Sequence, residues 1–471
     1  MTSHTAQTLA DASTTALWLD RLHPPITMRP DLGDQPEAAT ADVAIVGGGF
    51  SGLWTAYYLI LADPSLRITV IERRHCGFGA SGRNGGWAVG ELAGSLDWYA
   101  RRSTRSEAVR LARAVFEAVD EIGRVSDAEG IDCHYAKGGT VRVARNKPQA
   151  IRQRSEIQHH RRWGFSEDEI RLMTADETGE CIGASRIHSG IFFAPSAAID
   201  PARLVRGLAD VVERAGVRIV EETAVTAVEP GRVDTDLGPV RATVVVQATE
   251  AYTRDLEGKR RNLLPVYSLM VATEPLAPDV LDAIGLGERP TFADDRFMVI
   301  YGQRTADDRV AFGGRGVPYL FGSRIAREAE LHAPSHRLIA ETLVDLLPAL
   351  EGVGITHRWG GVLGIPRNWI PGLRFDPSTG LGALGGYVGE GVAASNLAGR
   401  TMADLIVGHD TDRTSLPWIG VSARRWEPEP LRWLGVRSSR MLLSRADERE
   451  DKTGREAKLA RWLSAVLRGA G

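Results

Sequence analysis

"DVAIVGGGFSG", residues 42–52, joins a short β-branched run to a glycine turn, and the turn opens an apolar stretch, "GLWTAYYLILA", residues 52–62. The first run reads as a strand and the second as a buried helix. "RITVIE", residues 67–72, reads as a second strand with Glu72 at its end, so the three segments make a βαβ unit. Gly47, Gly49 and Gly52 form a G-x-G-x-x-G. Gly47 permits the tight turn, Gly49 lets a pyrophosphate approach the backbone, Gly52 allows close helix-to-sheet packing, and the helix N-terminus offers N–H groups to the anion. Glu72, some twenty residues on, is placed to accept hydrogen bonds from a ribose. Together these features predict dinucleotide binding. The competing reading is a glycine turn in an unliganded α/β fold.

A second glycine cluster follows, "FGASGRNGGW", residues 78–87. So much bare backbone after an acidic strand end predicts that the chain returns past the same crevice, where Arg83 pairs with phosphate or orients a ring system. A nicotinamide enzyme has no need of this second loop. The alternative is an ordinary surface loop.

The 471 residues, 43% hydrophobic and 25% charged, have an ordinary globular composition. A net charge of -3 and a pI near 6.4 give no global reason to expect nucleic acid or an anionic membrane as partner, which leaves only local basic patches open. Cys76, Cys133 and Cys181 are odd in number and far apart, against a disulfide framework or a paired-cysteine zinc site. The apolar run after the glycine turn is well short of the roughly 20 residues that span a bilayer. No secretory signal is seen in the first forty residues, and the expected location is cytoplasmic. His332 and His336 have the i, i+4 spacing of metal ligands, but Pro334 lies between them and no H-E-x-x-H is present, so no metal site is expected. "HHRRW", residues 159–163, reads as a solvated helix face rather than a phosphate patch.

Along the chain, residues 1–40 read as an irregular arm docking through Leu17, Trp18 and Leu19. Helices are expected in residues 103–130, 201–216 and 327–350; a meander of short strands in 217–249; and strands of a second sheet in "VYSLMVATEP", in a hairpin turning at residues 306–308, and in "ITHRWGGVLGIP". Strand, glycine turn and helix recur in "GLGALGGYVGEGVAASNLAGRTMADLIVG".

The stretches "DVAIVGGGFSGLWTAYYL", "GFGASGRNGGW", "VVVQATEAYT", "RTADDRVAFGG" and "GYVGEGVAASNLAG", in this order, resemble the flavin amine oxidoreductases of the D-amino acid oxidase and glycine oxidase superfamily, and among them the γ-glutamylputrescine oxidase-like branch. The resemblance runs from about residue 18 to 408. It implies an α/β fold with a discontinuous, Rossmann-like FAD domain (residues 41–95, 196–262 and 369–410) and a substrate domain of mixed sheet and flanking helices (96–195 and 263–368), followed by a C-terminal extension, 411–471. It implies FAD held by Gly47, Gly49, Phe50, Ser51, Gly52, Glu72 and Arg73; by Gly79, Ala80, Ser81, Arg83, Asn84, Gly85, Gly86 and Trp87; by Val225, Ala248 and Thr249; and by Gly389, Glu390, Gly391 and Val392. The implied partners are a small amine substrate and an electron acceptor, oxygen or another.

The departures matter as much. Sarcosine oxidase-like members carry a flavin-linked cysteine in the region matching "GGVLGIP", whereas this chain has no cysteine after Cys181, so dissociable FAD is expected. The same members place a lysine near the flavin to assist oxygen; no lysine occurs here between Lys259 and Lys452, so the resemblance puts oxygen as acceptor in doubt. Glu390, Tyr301 and Arg367 are the candidate catalytic residues, with Arg304, Arg315 and Trp369 on neighbouring segments; a packing or ion-pair role is equally open to each. Glu390 either bonds a neighbouring loop or faces the substrate, and in the second case it favours a cationic amine. The rival to an amine-oxidising enzyme is a flavin-binding partner subunit or redox sensor.

Overall fold

The glycine turn and its helix sit where the sequence places them, and the rest of the molecule is wrapped around that unit. The computed structural model describes residues 1–316 and 319–467. Its strands are β1 (Thr40–Val46), β2 (Ile68–Ile71), β3 (Trp87–Val89), β4 (Thr140–Ala144), β5 (Ile170–Met173), β6 (Ser189–Phe193), β7 (Ser196–Ala198), β8 (Arg218–Val220) and β9 (Val225–Glu229). They continue as β10 (Arg232–Thr235), β11 (Gly238–Gln247), β12 (Leu263–Thr273), β13 (Thr291–Asp294), β14 (Ile300–Arg304), β15 (Val310–Arg315), β16 (Ile355–Pro366), β17 (Gly372–Asp376) and β18 (Leu381–Gly385).

The first eight-stranded sheet has the order β17-β18-β11-β1-β2-β8, with β10 and β9 added beside β11. β18, β11, β1, β2 and β8 run parallel. Val43, Ile45, Ile68 and Val70 are buried, as befits strands covered on both faces. The helices Phe50–Ala62 and Gly391–Val407 pack together on one face so closely that a Cβ on Gly399 would lie 2.6 Å from Trp54 Cβ. The second eight-stranded sheet, β16-β12-β15-β14-β13-β4-β6-β5, is antiparallel except at β13–β4. A two-stranded pair, β3 and β7, completes the sheets. The expected fold class, a Rossmann-like parallel sheet with a second, mixed sheet and flanking helices, is the one found.

Three local expectations are corrected. Residues 1–40 are not wholly irregular: Ser3–Asp11 is a helix, capped by the Thr2 hydroxyl accepting from the Thr5 N–H at 3.2 Å, and Leu17–Asp20 is a helical turn. Leu17 and Trp18 are buried as expected, and the Trp18 indole N–H donates to the Asn84 carbonyl at 2.8 Å. β8 does not begin a meander; it pairs parallel with β2, because the helix Pro201–Arg214 has already carried the chain across the sheet. The helix expected over 327–350 breaks into Arg327–Glu330 and Ala333–Leu346, since Pro334 lacks an N–H and is tolerated only in the first turn of a new helix. That break leaves Glu330 at the end of a short turn, facing a cavity.

Candidate active site

The carboxyl ends of β1, β2, β11 and β18 open onto one cavity of about 710 Å³, lined by Val46, Ile71, Ala248 and Gly389 among others. This is where an open parallel sheet binds ligands: the helices that follow the strands diverge there and turn their N-terminal N–H groups toward the gap. Gly47 has φ +113, and a Cβ on it would sit 2.5 Å from the Ala248 carbonyl oxygen; a Cβ on Gly52 would sit 2.0 Å from the Gly47 carbonyl oxygen. Gly52 is therefore a packing glycine behind the cavity wall, whereas Gly47, Gly49, Phe50 and Ser51 line it. The Glu72 carboxylate accepts from the Gly48 N–H at 2.8 Å and the Arg74 N–H at 2.9 Å, tying the glycine turn to the end of β2. Burial pushes its carboxyl above the usual range.

The second glycine cluster lies against the first. Ser81 Oγ accepts the Phe50 N–H at 2.9 Å, so the two loops share a hydrogen bond at the helix N-terminus. Gly79, Ala80, Ser81, Arg83 and Asn84 line the cavity, together with Arg73, Val225, Ala248, Thr249, Gly391 and Val392.

Gly85, Gly86 and Trp87, expected as cofactor contacts, are placed elsewhere. A Cβ on Gly85 would lie 2.4 Å from the Tyr301 ring, and one on Gly86 would lie 1.9 Å from Gln303 Nε2. Gln303 Nε2 donates to the Gly85 and Gly86 carbonyls at 2.9 and 3.0 Å, and the Trp87 indole N–H donates to the Gly302 carbonyl at 3.1 Å. These glycines let the loop press on β14: they form the seam between the halves of the molecule. Tyr301 belongs to that seam, sharing a 2.7 Å hydrogen bond with Ser268 Oγ, and does not line the cavity.

The other two candidate catalytic residues are also outside the wall. The Arg367 guanidinium pairs with Glu427 at 2.9 Å and lies 5.0 Å from the Trp426 ring centroid, which occupies it away from the site. Glu390 precedes the helix Gly391–Val407, but the lining is made by its neighbours Gly389 and Gly391. Arg304 pairs with Asp308 at 2.7 Å within the β14–β15 hairpin. Trp369 packs in a separate cluster around Ile365 and Trp426, and the Arg315 side chain lies outside the described residues. His336 does not face a metal: its ring Nε2–H donates to the Glu330 carbonyl at 2.9 Å, and burial lowers its pKa to about 4.

Several lining residues escaped the sequence reading. Glu250 accepts from the Gly386 N–H at 2.7 Å and the Gly364 N–H at 3.0 Å, clamping the end of β11 to β16 and to the turn after β18. The Tyr387 and Ser51 hydroxyls share a 2.8 Å hydrogen bond between two helix starts. Tyr252, Glu330 and Trp359 complete the wall beneath β16. Glu250, Tyr252 and Tyr387 stand inside quoted motifs and were legible as polar or aromatic residues in strand-end turns; nothing local to Glu330 or Trp359 marks them.

The charge at the far end of the cavity is organised around Arg83. Its guanidinium pairs with Glu330 at 2.9 Å, donates to the Tyr252 hydroxyl at 3.3 Å and lies 4.8 Å from the Phe78 ring centroid. Arg83, expected to pair with phosphate or to orient a ring system, holds a carboxylate of the protein. Its Nε is buried with no hydrogen-bond acceptor in the structure. Burial raises the Glu330 carboxyl, and Arg83 opposes that shift.

Two helix N-termini, a buried guanidinium N–H without an acceptor and a volume in the range of organic-ligand sites suit an anionic dinucleotide. The class so defined is a dinucleotide-binding protein. The profile of the family described as DAO, FAD dependent oxidoreductase, matches residues 42–405, and the chain belongs to that family, with FAD as its cofactor. Gamma-glutamylputrescine oxidoreductase of Escherichia coli (strain K12) is 31% identical over 384 residues, covering 80% of this chain and 86% of the relative. A probable oxidoreductase, OrdL, of Haemophilus influenzae is 30% identical over 380 residues, covering 79% and 84%. Glycine oxidase from Geobacillus kaustophilus shares the fold with a TM-score of 0.68 at 20% identity, over 82% of this chain and 99% of that one. L-Amino acid deaminase from Proteus myxofaciens shares it with a TM-score of 0.66 at 16% identity, over 87% and 97%. Among the described residues no helix is long and apolar enough to cross a membrane.

Proposed function

We propose that this oxidoreductase oxidises a C–N bond of a primary or secondary amine, with an amine or polyamine derivative as substrate, and that FAD is held without a covalent link. The observation that carries the reading is a single cavity lined both by the glycine turns and by the chamber under β16 that holds Glu330 and Trp359. FAD, when bound, supplies the acceptor for a hydride from the carbon next to nitrogen. The chain's own residues position and polarise. The Gly47–Ser51 turn and the Gly79–Asn84 loop offer backbone to the cofactor. The N-terminus of the helix Gly391–Val407 stabilises negative charge arising beside it. No side-chain base is required, because the amine enters neutral and water hydrolyses the resulting imine.

The substrate class is supported by the relative named for gamma-glutamylputrescine. Glu330, which lines the chamber and pairs with Arg83, supports a cationic substrate; Glu390 is not among the lining residues. A second reading, an amino-acid substrate, is favoured by Arg83 Nε and by Arg327 in the same cavity, which suit a carboxylate. No cysteine or lysine is among the described lining residues, which supports dissociable FAD and an acceptor other than oxygen. Anaerobic titration of the purified protein with amines, polyamine derivatives and amino acids tests all of this through the flavin absorbance. Bleaching by an amine derivative, slow reoxidation on admitting oxygen and faster reoxidation by an artificial acceptor are expected. Bleaching by amino acids alone selects the second reading; no bleaching by any of them points to a partner subunit or sensor; flavin that stays on the denatured chain overturns the non-covalent assignment.

A further inference from the structure

The C-terminal segment lies beyond the span matched by the family profile and differs electrically from the rest. Residues 411–471 carry thirteen Lys or Arg against eight Asp or Glu, a net +5 in a chain whose total is -3. The structure separates these charges further. Helix Leu431–Thr453 turns two of its acids inward and leaves Glu448 and Asp451 exposed: Glu450 pairs with Arg152 at 2.8 Å, and the Asp447 carboxylate accepts the Phe297 and Met298 N–H groups at 2.7 and 2.8 Å. Arg437, Arg445, Arg449 and Lys452 are exposed on the same helix, and Arg455, Lys458 and Arg461 continue the basic surface beyond it.

Apolar side chains emerge among these bases. Helix Lys458–Leu467 packs Ala460, together with Ala457 just before it, against Leu443, Ala446 and Phe297, and leaves Leu459 and Trp462 outward at 61% and 62% exposure. Leu431, Leu434 and Met441 are likewise exposed on the preceding helix. A helix that buries alanine and shows leucine and tryptophan to water has its bulky face reserved for another phase. Bulky apolar residues with tryptophan, flanked by lysine and arginine, are the pattern of a helix lying in the headgroup region of a bilayer. The surrounding positive charge complements anionic lipid.

We propose that the surface made by Leu459, Trp462 and the basic residues of these two helices docks the protein on an anionic membrane without spanning it. Basic residues near such a surface are worth roughly a fivefold change in partitioning each.

The FAD-loaded full chain is to be mixed with sedimentable vesicles of phosphatidylcholine, alone or with one third phosphatidylglycerol. Co-sedimentation with the anionic vesicles, little with the neutral ones, and release by high salt are expected. Lys458→Glu with Arg461→Glu is expected to weaken partitioning at least roughly 25-fold, and Leu459→Ser with Trp462→Ser to abolish it. Flavin content and solution turnover stay unchanged in both, since neither pair touches the cavity. Failure of the native protein to sediment with anionic vesicles, or equal binding to both kinds, overturns the proposal. So does a native dimer that both variants convert to monomer with vesicle binding intact, which assigns the face to a second copy of the chain.

Discussion

The two ends of the cavity are built on different principles. At the crevice end, the wall is backbone: Gly47, Gly49 and the N–H groups of two helix starts, held by carboxylates that accept only main-chain N–H groups, Glu72 at Gly48 and Arg74, Glu250 at Gly364 and Gly386. At the chamber end, the wall is side chain: Arg83, Tyr252, Glu330 and Trp359, brought from four separated segments. A backbone wall is tolerant of what its neighbours are and intolerant of any added atom. A side-chain wall has the opposite sensitivities, so the first end suits the cofactor's backbone-reading contacts and the second suits recognition by side-chain chemistry.

Substitutions should separate the two ends. The largest effect is expected for Gly52→Val, whose Cβ would stand 2.0 Å from the Gly47 carbonyl oxygen and 3.2 Å from Ile45 Cγ2. Loss of flavin and a destabilisation of about 3 kcal/mol or more are expected. Denaturant unfolding and the flavin-to-protein absorbance ratio measure both; a variant with normal flavin content would show that the helix does not depend on that close packing.

Next comes the prop behind the chamber. His336 is buried and neutral, with its ring N–H on the Glu330 carbonyl and a pKa of about 4 against an ordinary 6.5. The unfolded chain binds the proton more readily, so this contribution to stability is complete above pH 6.5. It is lost as pH falls toward 4, at about 1.4 kcal/mol per unit and about 3 kcal/mol over the window. His336→Gln, which keeps a donor and removes the titration, should flatten the pH dependence of unfolding between those limits. An unchanged slope would place the titration elsewhere.

The smallest effect is expected at Glu330→Gln, which removes the charge facing Arg83 while keeping the size of the side chain. A loss of about 2 kcal/mol in stability is expected, with flavin retained and KM for cationic amines raised more than kcat is lowered. Equal changes for cationic and neutral amines would make Glu330 a support for Arg83 alone.

The crevice was legible because its parts are local. A strand, a glycine turn, a helix and an acidic strand end lie within residues 40–72, and each obeys a rule about backbone space or N–H direction. The recurrence of glycine in residues 79–86 was legible too, but its meaning was mixed. Gly79 lines the cavity, whereas Gly85 and Gly86 make room for Tyr301 and Gln303, a difference that depends on β14, more than two hundred residues away in the chain. Glu390 and Arg367 drew attention because the resemblance puts their segments beside the cavity. Neither lines the cavity, whereas Glu330 does, because Pro334 starts a new helix just downstream.

Glycine spacing, β-branched runs and strand-end acids were enough to establish the α/β class and a dinucleotide crevice with a loop that returns to it, since these depend on what a few consecutive residues allow the main chain to do; FAD itself came from the resemblance. Which arginine meets which carboxylate and which glycines and acids line the cavity were decided by the packing of the second sheet on the first. Side-chain contacts between segments hundreds of residues apart have no local period or spacing to record them.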